Sequence, residues 1–123
     1  MEKEEFVRRL ELVVESGTVK SQIKVLTAPP GRKPSRQLVE ASRWYNELQP
    51  EEKQFLEWII ADTAKSSTFG TLVVLDGMRR FFDEDNAHLE LHAVYGDGRR
   101  VLINAEEGEQ LHDLVNRDTP GST

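Results

Sequence analysis

The 123-residue chain contains no cysteine. It therefore forms no disulfide and offers no thiolate as nucleophile or metal ligand, which excludes zinc ribbons, thiol enzymes and disulfide-stapled secreted scaffolds together. It also has no apolar run approaching the ~18 residues of a membrane span, and Met1-Glu2-Lys3-Glu4-Glu5 lacks the apolar core of a signal peptide. The expectation is a protein of the reducing cytoplasm with no membrane association. Aromatic residues are sparse, at 7%, and none is interleaved with the basic residues between Lys20 and Arg36.

Charge is abundant: 16 Lys and Arg stand against 22 Asp and Glu, a net −6. Residues 1–36 hold eight basic and five acidic residues, whereas residues 37–123 hold eight basic and seventeen acidic ones. A chain of this length buries roughly two-thirds of its unfolded surface, enough for one core. The expected layout is an N-terminal segment at 1–27, a connector at 28–35, one acidic body at 36–116 and a frayed tail at 117–123. The connector, Ala28-Pro29-Pro30-Gly31-Arg32-Lys33-Pro34-Ser35, loses backbone donors at three prolines and resists regular structure.

Phe6, Val7, Leu10, Val13 and Val14 form a helical stripe with Gly17 placed as its stop. From Val19 to Thr27 the pattern fits both periods; the alternation of Val19, Ile23 and Val25 with Lys20, Gln22 and Lys24 favours a strand. Ser35 can cap a helix with Leu38, Ala41, Tyr45 and Leu48 on one face. Pro50 suits a first helical position, Glu51 and Glu52 suit the positive dipole end, and Phe55, Trp58 and Ile59 carry that helix to about Ser66. Trp44, Tyr45, Phe55, Trp58 and Phe69 are expected in the core. Residues 69–82 read as a buried helix or as a strand ending at Asp76-Gly77; helix is favoured, although a glycine inside it costs about 1 kcal/mol against alanine.

The alternation from His88 to Tyr95, then Gly96-Asp97-Gly98, then Arg99 to Ile103 predicts a β-hairpin. A three-residue loop pairs Leu91 with Ile103 and Ala93 with Val101, and is preferred. Asn104 with Glu107 resembles a capping box that starts a short helix carrying Leu111, Leu114 and Val115. Several N-terminal helices packed with an antiparallel hairpin or small sheet and a short C-terminal helix define an α+β class.

No catalytic or ligand motif stands out. His88 and His92 lie about 13 Å apart if extended, too far for one metal. His112 beside Asp113 lies on a helix where neighbours diverge by about 100°, which disfavours a base with its orienting carboxylate. Asp83-Glu84-Asp85-Asn86 lacks the glycine, spacing and distal glutamate of a calcium loop, and Gly96-Asp97-Gly98 is a turn, not a phosphate loop. No metal and no cofactor are expected. Lys20, Lys24, Arg32, Lys33 and Arg36 form a loose basic segment, but the acidic body disfavours nucleic acid.

Trp44-Tyr45-Asn46-Glu47-Leu48-Gln49-Pro50-Glu51-Glu52, Phe69-Gly70, Val74-Leu75-Asp76-Gly77 and Leu111-His112-Asp113-Leu114 together resemble small bacterial proteins of the kind encoded beside polymorphic toxins as immunity proteins. The resemblance covers roughly residues 36–116 and transfers no catalytic residue. It implies a stoichiometric binding role in a bacterial cytoplasm.

The leading expectation is a non-enzymatic inhibitor or immunity-type protein that meets a basic protein partner through Asp83, Glu84, Asp85, Glu90, His92, Glu106, Glu107 and Glu109. One alternative is a small-ligand or hydrolase-like enzyme near the hairpin, using His92, Glu90 and Tyr95 or His112 and Asp113. Another is a regulatory or structural homo-oligomer, such as a homodimer, joined through the Phe6 to Val14 stripe.

Overall fold

A computed structural model describes residues 1–115. The element order is α1 (Lys3–Leu10), a π-helical turn (Glu11–Ser16), α2 (Gly17–Thr27), α3 (Arg36–Glu47), α4 (Pro50–Leu75), β1 (His92–Val94), β2 (Arg100–Leu102) and a 3-10 turn (Leu111–Leu114). Three helical rods and a two-stranded antiparallel sheet make the α+β class expected from the sequence. No helix among the described residues is long and apolar enough to cross a membrane. The tail expected at 117–123 lies outside the described residues.

The first rod runs from Lys3 to Thr27 through the π turn, so Gly17 stops nothing and Val19–Thr27 is helix, not strand. Alternating β-branched residues there have no neighbouring strand to pair with, and a strand without a partner leaves its backbone donors and acceptors unsatisfied. The π turn explains a second departure. Its i→i+5 bonding inserts an extra residue into the helix, so burial passes from Val7 to Glu15 and then to Leu26. Val13 and Val14, which continue the stripe at pure α spacing, are exposed.

Ser35 Oγ accepts from the Leu38 N–H at 3.2 Å and caps α3 as expected. Pro50 begins α4, and Glu52 Oε1 accepts from the Gln49 N–H at 2.7 Å. α4 does not end near Ser66; it continues to Leu75 and closes in a Schellman motif. There the Gly77 N–H donates to Val74 O at 3.0 Å and the Met78 N–H to Val73 O at 3.1 Å. Gly77, at φ +74°, supplies the left-handed residue this motif needs. The segment left open at 69–82 is thus helix to Leu75 and irregular chain beyond.

The hairpin has the expected three-residue loop. Ala93 pairs with Val101, the Ile103 N–H donates to Leu91 O at 2.8 Å, and the Tyr95 N–H to Arg99 O at 2.8 Å. Three residues per strand are paired, and the two strands form a two-stranded sheet. The helix expected to start at Asn104 is absent, and the C-terminal helix contracts to the 3-10 turn. Asn104 is instead drawn inward: its Nδ2 donates to Leu75 O at 2.8 Å and Leu89 O at 2.9 Å, and its Oδ1 accepts from the Leu91 N–H at 2.9 Å.

The core lies at one end of the helices, where Val7, Leu72, Ile103, Leu111 and Val115 meet. Phe6, Leu10, Phe69, Leu75, Leu91 and Ala93 pack around them. Burying a residue such as Leu72 fully contributes about 1.5–3 kcal/mol relative to leaving it in water. The far end is held more lightly, by the Asn46 Nδ2 bond to Thr27 O at 3.0 Å and the Tyr45 hydroxyl bond to Glu57 Oε1 at 3.2 Å. Of the aromatics expected in the core, Tyr45 is buried and Phe69 packs against the core, but Trp44, Phe55 and Trp58 are 54%, 70% and 37% exposed.

Candidate functional site

The seven acidic candidates all lie beyond α4 and all are exposed; His92 is half-buried. The fold places them in three groups. Glu84, Asp85 and Glu106 line a concavity of about 370 Å³ together with Arg79, Arg80 and the end of α4. Arg80 shapes its rim, donating to Asp83 O at 2.9 Å and lying 3.7 Å from the Asp85 carboxylate. Asp83, Glu90, Glu107 and Glu109 do not line this concavity.

Glu107 and Glu109 belong to a second group, on the loop leading to the 3-10 turn. Lys3 organises that loop: its Nζ donates to the carbonyls of Ala105 at 2.5 Å, Glu107 at 2.9 Å and Glu109 at 2.8 Å. An ammonium has three donors, and here all three are used on backbone oxygen. The loop backbone is fixed while its glutamate side chains stay in solvent.

Glu90 forms the third group with the two histidines. His88 Nε2 lies 2.9 Å from Glu90 Oε2, and His92 Nε2 lies 3.2 Å from Glu90 Oε1. The expected 13 Å separation assumed a strand from His88, but the ladder begins only at His92, so the chain bends and both imidazoles reach one carboxylate. The hydrogen bonds from His88 and then His92 hold the Glu90 carboxyl below the ordinary carboxylate range. Among the described residues no group of three His, Asp or Glu side chains is placed to hold a metal.

The two pairs expected for an enzyme, His92 with Glu90 and His112 with Asp113, are both in contact. Glu90 meets His92 in the open, with half of its side chain exposed. His112 Nε2 is 3.5 Å from Asp113, but its Nδ1 faces Asp76 Oδ2 at 2.7 Å. Asp76 also accepts from the backbone N–H groups of Leu111 at 3.1 Å and His112 at 2.9 Å. Phe69 packs on the imidazole in a T-shaped contact, with ring centroids 5.7 Å apart. His112 lines none of the cavities of 370, 490 and 720 Å³. This imidazole and carboxylate fasten the 3-10 turn to the end of α4.

Asp76, Asn104 and Lys3 were not legible as a set. Asp76-Gly77 carries a turn signal and Asn104 a cap signal, both local, whereas their partners lie 13 to 36 residues away. The stripe for the homo-oligomer is largely spent inside the fold, since Val7 is buried and Phe6 and Leu10 pack against the core.

The architecture is therefore an α+β unit in which helices support an acidic, loop-rich lobe. Comparison with family models, curated proteins and solved structures finds no match to the chain.

Proposed function

We propose that this is a non-enzymatic protein-binding domain whose acidic lobe meets a basic protein partner, in the manner of an inhibitor or immunity protein. The observation that carries this reading is the separation of charge by element. Residues 1–75, which form the helices, hold eleven basic and eleven acidic residues. Residues 76–115, which form the loops and hairpin, hold four basic and ten acidic ones. A net-acidic lobe on a neutral support steers an oppositely charged partner and selects against others.

Preorganisation supports the same reading. Lys3 and Arg80 fix the backbone of the acidic loops, so less loop ordering remains to oppose association. A cytoplasmic, bacterial setting belongs to this proposal.

The test is capture by the intact chain from the native cell, repeated with a variant carrying Glu84→Lys, Glu106→Lys and Glu109→Lys. One basic protein retained at about equal stoichiometry, released by salt as the Debye length falls below ~10 Å and lost in the variant, is the expected result. Capture that ignores both salt and charge reversal would sink the acidic-lobe reading.

A further inference from the structure

Two clefts run between the first helical rod and α4, and they share no lining residue. In the larger, of about 720 Å³, six of the eleven lining residues are charged. In the smaller, of about 490 Å³, none of the eleven is, although 31% of the chain is charged. Its walls come from the rod and α4 alone, with Leu10, Val14 and Thr18 facing Ile59, Thr63 and Ser67.

α4 sorts its charges in the same sense, against the usual pattern in which a surface helix turns charge to water. After Glu51 and Glu52 in the first turn, its charged residues are Lys53, Glu57, Asp62 and Lys65, and all four are half-buried. Lys53 lies over the Tyr45 ring, and Glu57 accepts from the Tyr45 hydroxyl. The residues that α4 exposes from Gln54 to Thr71 are all uncharged, and Phe55, Trp58 and Ile59 are among them.

We propose that this uncharged face docks a second copy of the chain, α4 against α4 in antiparallel orientation about a twofold axis near Thr63.

Charge and shape select this occupant. Residues 1–75 carry equal numbers of basic and acidic residues, so two copies meet here without the repulsion their acidic lobes would impose. A charged surface docked on this face would lose its hydration and find no counter-charge; the partner that matches is another uncharged face, and the chain itself presents one. Bulk and smallness are also divided along the helix: Phe55, Trp58 and Ile59 are exposed in one half, Ser66, Ser67 and Thr71 in the other. Antiparallel packing sets the bulky half of each copy on the small half of its partner, whereas parallel packing sets bulk on bulk. It also carries the two acidic lobes, which follow Leu75, to opposite ends of the pair, well beyond the ~10 Å Debye length.

The area is sufficient for a reversible dimer. From Gln54 to Thr71 the face is about 27 Å long at a rise of ~1.5 Å per residue, and two helices ~8–10 Å apart make it roughly 20 Å wide. Each copy therefore covers roughly 500 Å², about 1,000 Å² together, which is the lower bound for a specific interface.

Sedimentation velocity of the full chain from about 5 to about 500 µM is expected to show a monomer–dimer equilibrium with a Kd of about 10–100 µM, unweakened by salt because no charge lies in the contact. Phe55→Glu and Ile59→Lys, at positions 70% and 51% exposed, are each expected to weaken it about tenfold or more. Trp44→Gln, equally exposed but on α3, is expected to leave it unchanged. The chain has no cysteine, so orientation is read directly: Thr63→Cys is expected to cross-link two copies on oxidation, and Thr71→Cys, far from the axis, is not. A monomer at about 500 µM, which would leave the face to a partner of another kind, overturns the proposal. So does a dimer dissolved by salt, one indifferent to both face variants, or cross-linking of Thr71→Cys as fast as Thr63→Cys. The concentration and salt series on the unmodified chain keep the test independent of how any variant folds.

Discussion

Asp76 holds His112 twice: its Oδ2 accepts from the backbone N–H of His112 at 2.9 Å and lies 2.7 Å from the Nδ1 of the same residue. With the Leu111 N–H on Oδ1 at 3.1 Å, one nearly buried carboxylate ends a 26-residue helix and anchors the last described turn. The imidazole is placed by the same atom that places its backbone, so ring and turn are fixed together at the end of α4.

Asp76→Ala should therefore destabilise the fold by about 3 kcal/mol, since hydrogen bonds to charged groups contribute about 1.5–3 kcal/mol each and buried donors are left unpaired. Asp76→Asn, which keeps an acceptor, should lose less. Urea unfolding followed by circular dichroism checks this; equal midpoints for all three proteins would contradict it.

Asn104→Ala should cost about 2–3 kcal/mol through three lost bonds to Leu75, Leu89 and Leu91. The diagnostic is local. Amide hydrogen exchange at Leu91, whose N–H has Asn104 Oδ1 as its partner, should accelerate before exchange in α3 does.

Trp44 and Trp58, at 54% and 37% exposed, should both be quenched by acrylamide in the native protein. Substituting Trp44 by Gln should change stability by no more than about 0.5 kcal/mol, as for surface positions generally. A loss near the ~3–5 kcal/mol typical of a core tryptophan would show that the side chain is packed.

Glu15 sets a pH dependence whose sign is fixed by burial. Burial raises its folded-state pKa above the ordinary carboxyl value, so its favourable contribution is complete below that value and is lost as pH rises through the folded-state pKa. Glu15→Met should remove this loss and raise stability at neutral pH by about 1 kcal/mol or more, because an unpaired buried acceptor disappears. Chemical denaturation at pH 4 and pH 7 distinguishes the outcomes; a variant with the same pH slope as the parent would refute the assignment.

What the sequence revealed was local chemistry. Ser35 as a cap, Pro50 as a first helical residue and Gly96-Asp97-Gly98 as a three-residue loop each depend on neighbours within a few positions, and each is found. Val19–Thr27 was misjudged because two periods fit it and only the absence of a partner strand decides. Asn104 has the residue type of a cap, yet its amide has better partners across the fold. The aromatic residues differ for another reason: helical spacing identifies a shared face, not what covers it, and Trp44 and Phe55 stay more than half exposed. The acidic lobe was legible as composition, but its three groups depend on Lys3, Arg80 and the two histidines around Glu90. The burial of Glu15 left no trace in the pattern, since an extra residue in a helical turn has no sequence signature here.

The core joins the first helix to the last described residues, with Val7 clustered with Ile103, Leu111 and Val115. During synthesis at about 5–20 residues per second, Val7 waits roughly 5–20 s for Val115 to emerge. For that interval Val7 lacks the C-terminal partners that bury it in the finished core. A chaperone that shields apolar helix faces, or a partner already present, meets this chain in a state that the finished fold conceals.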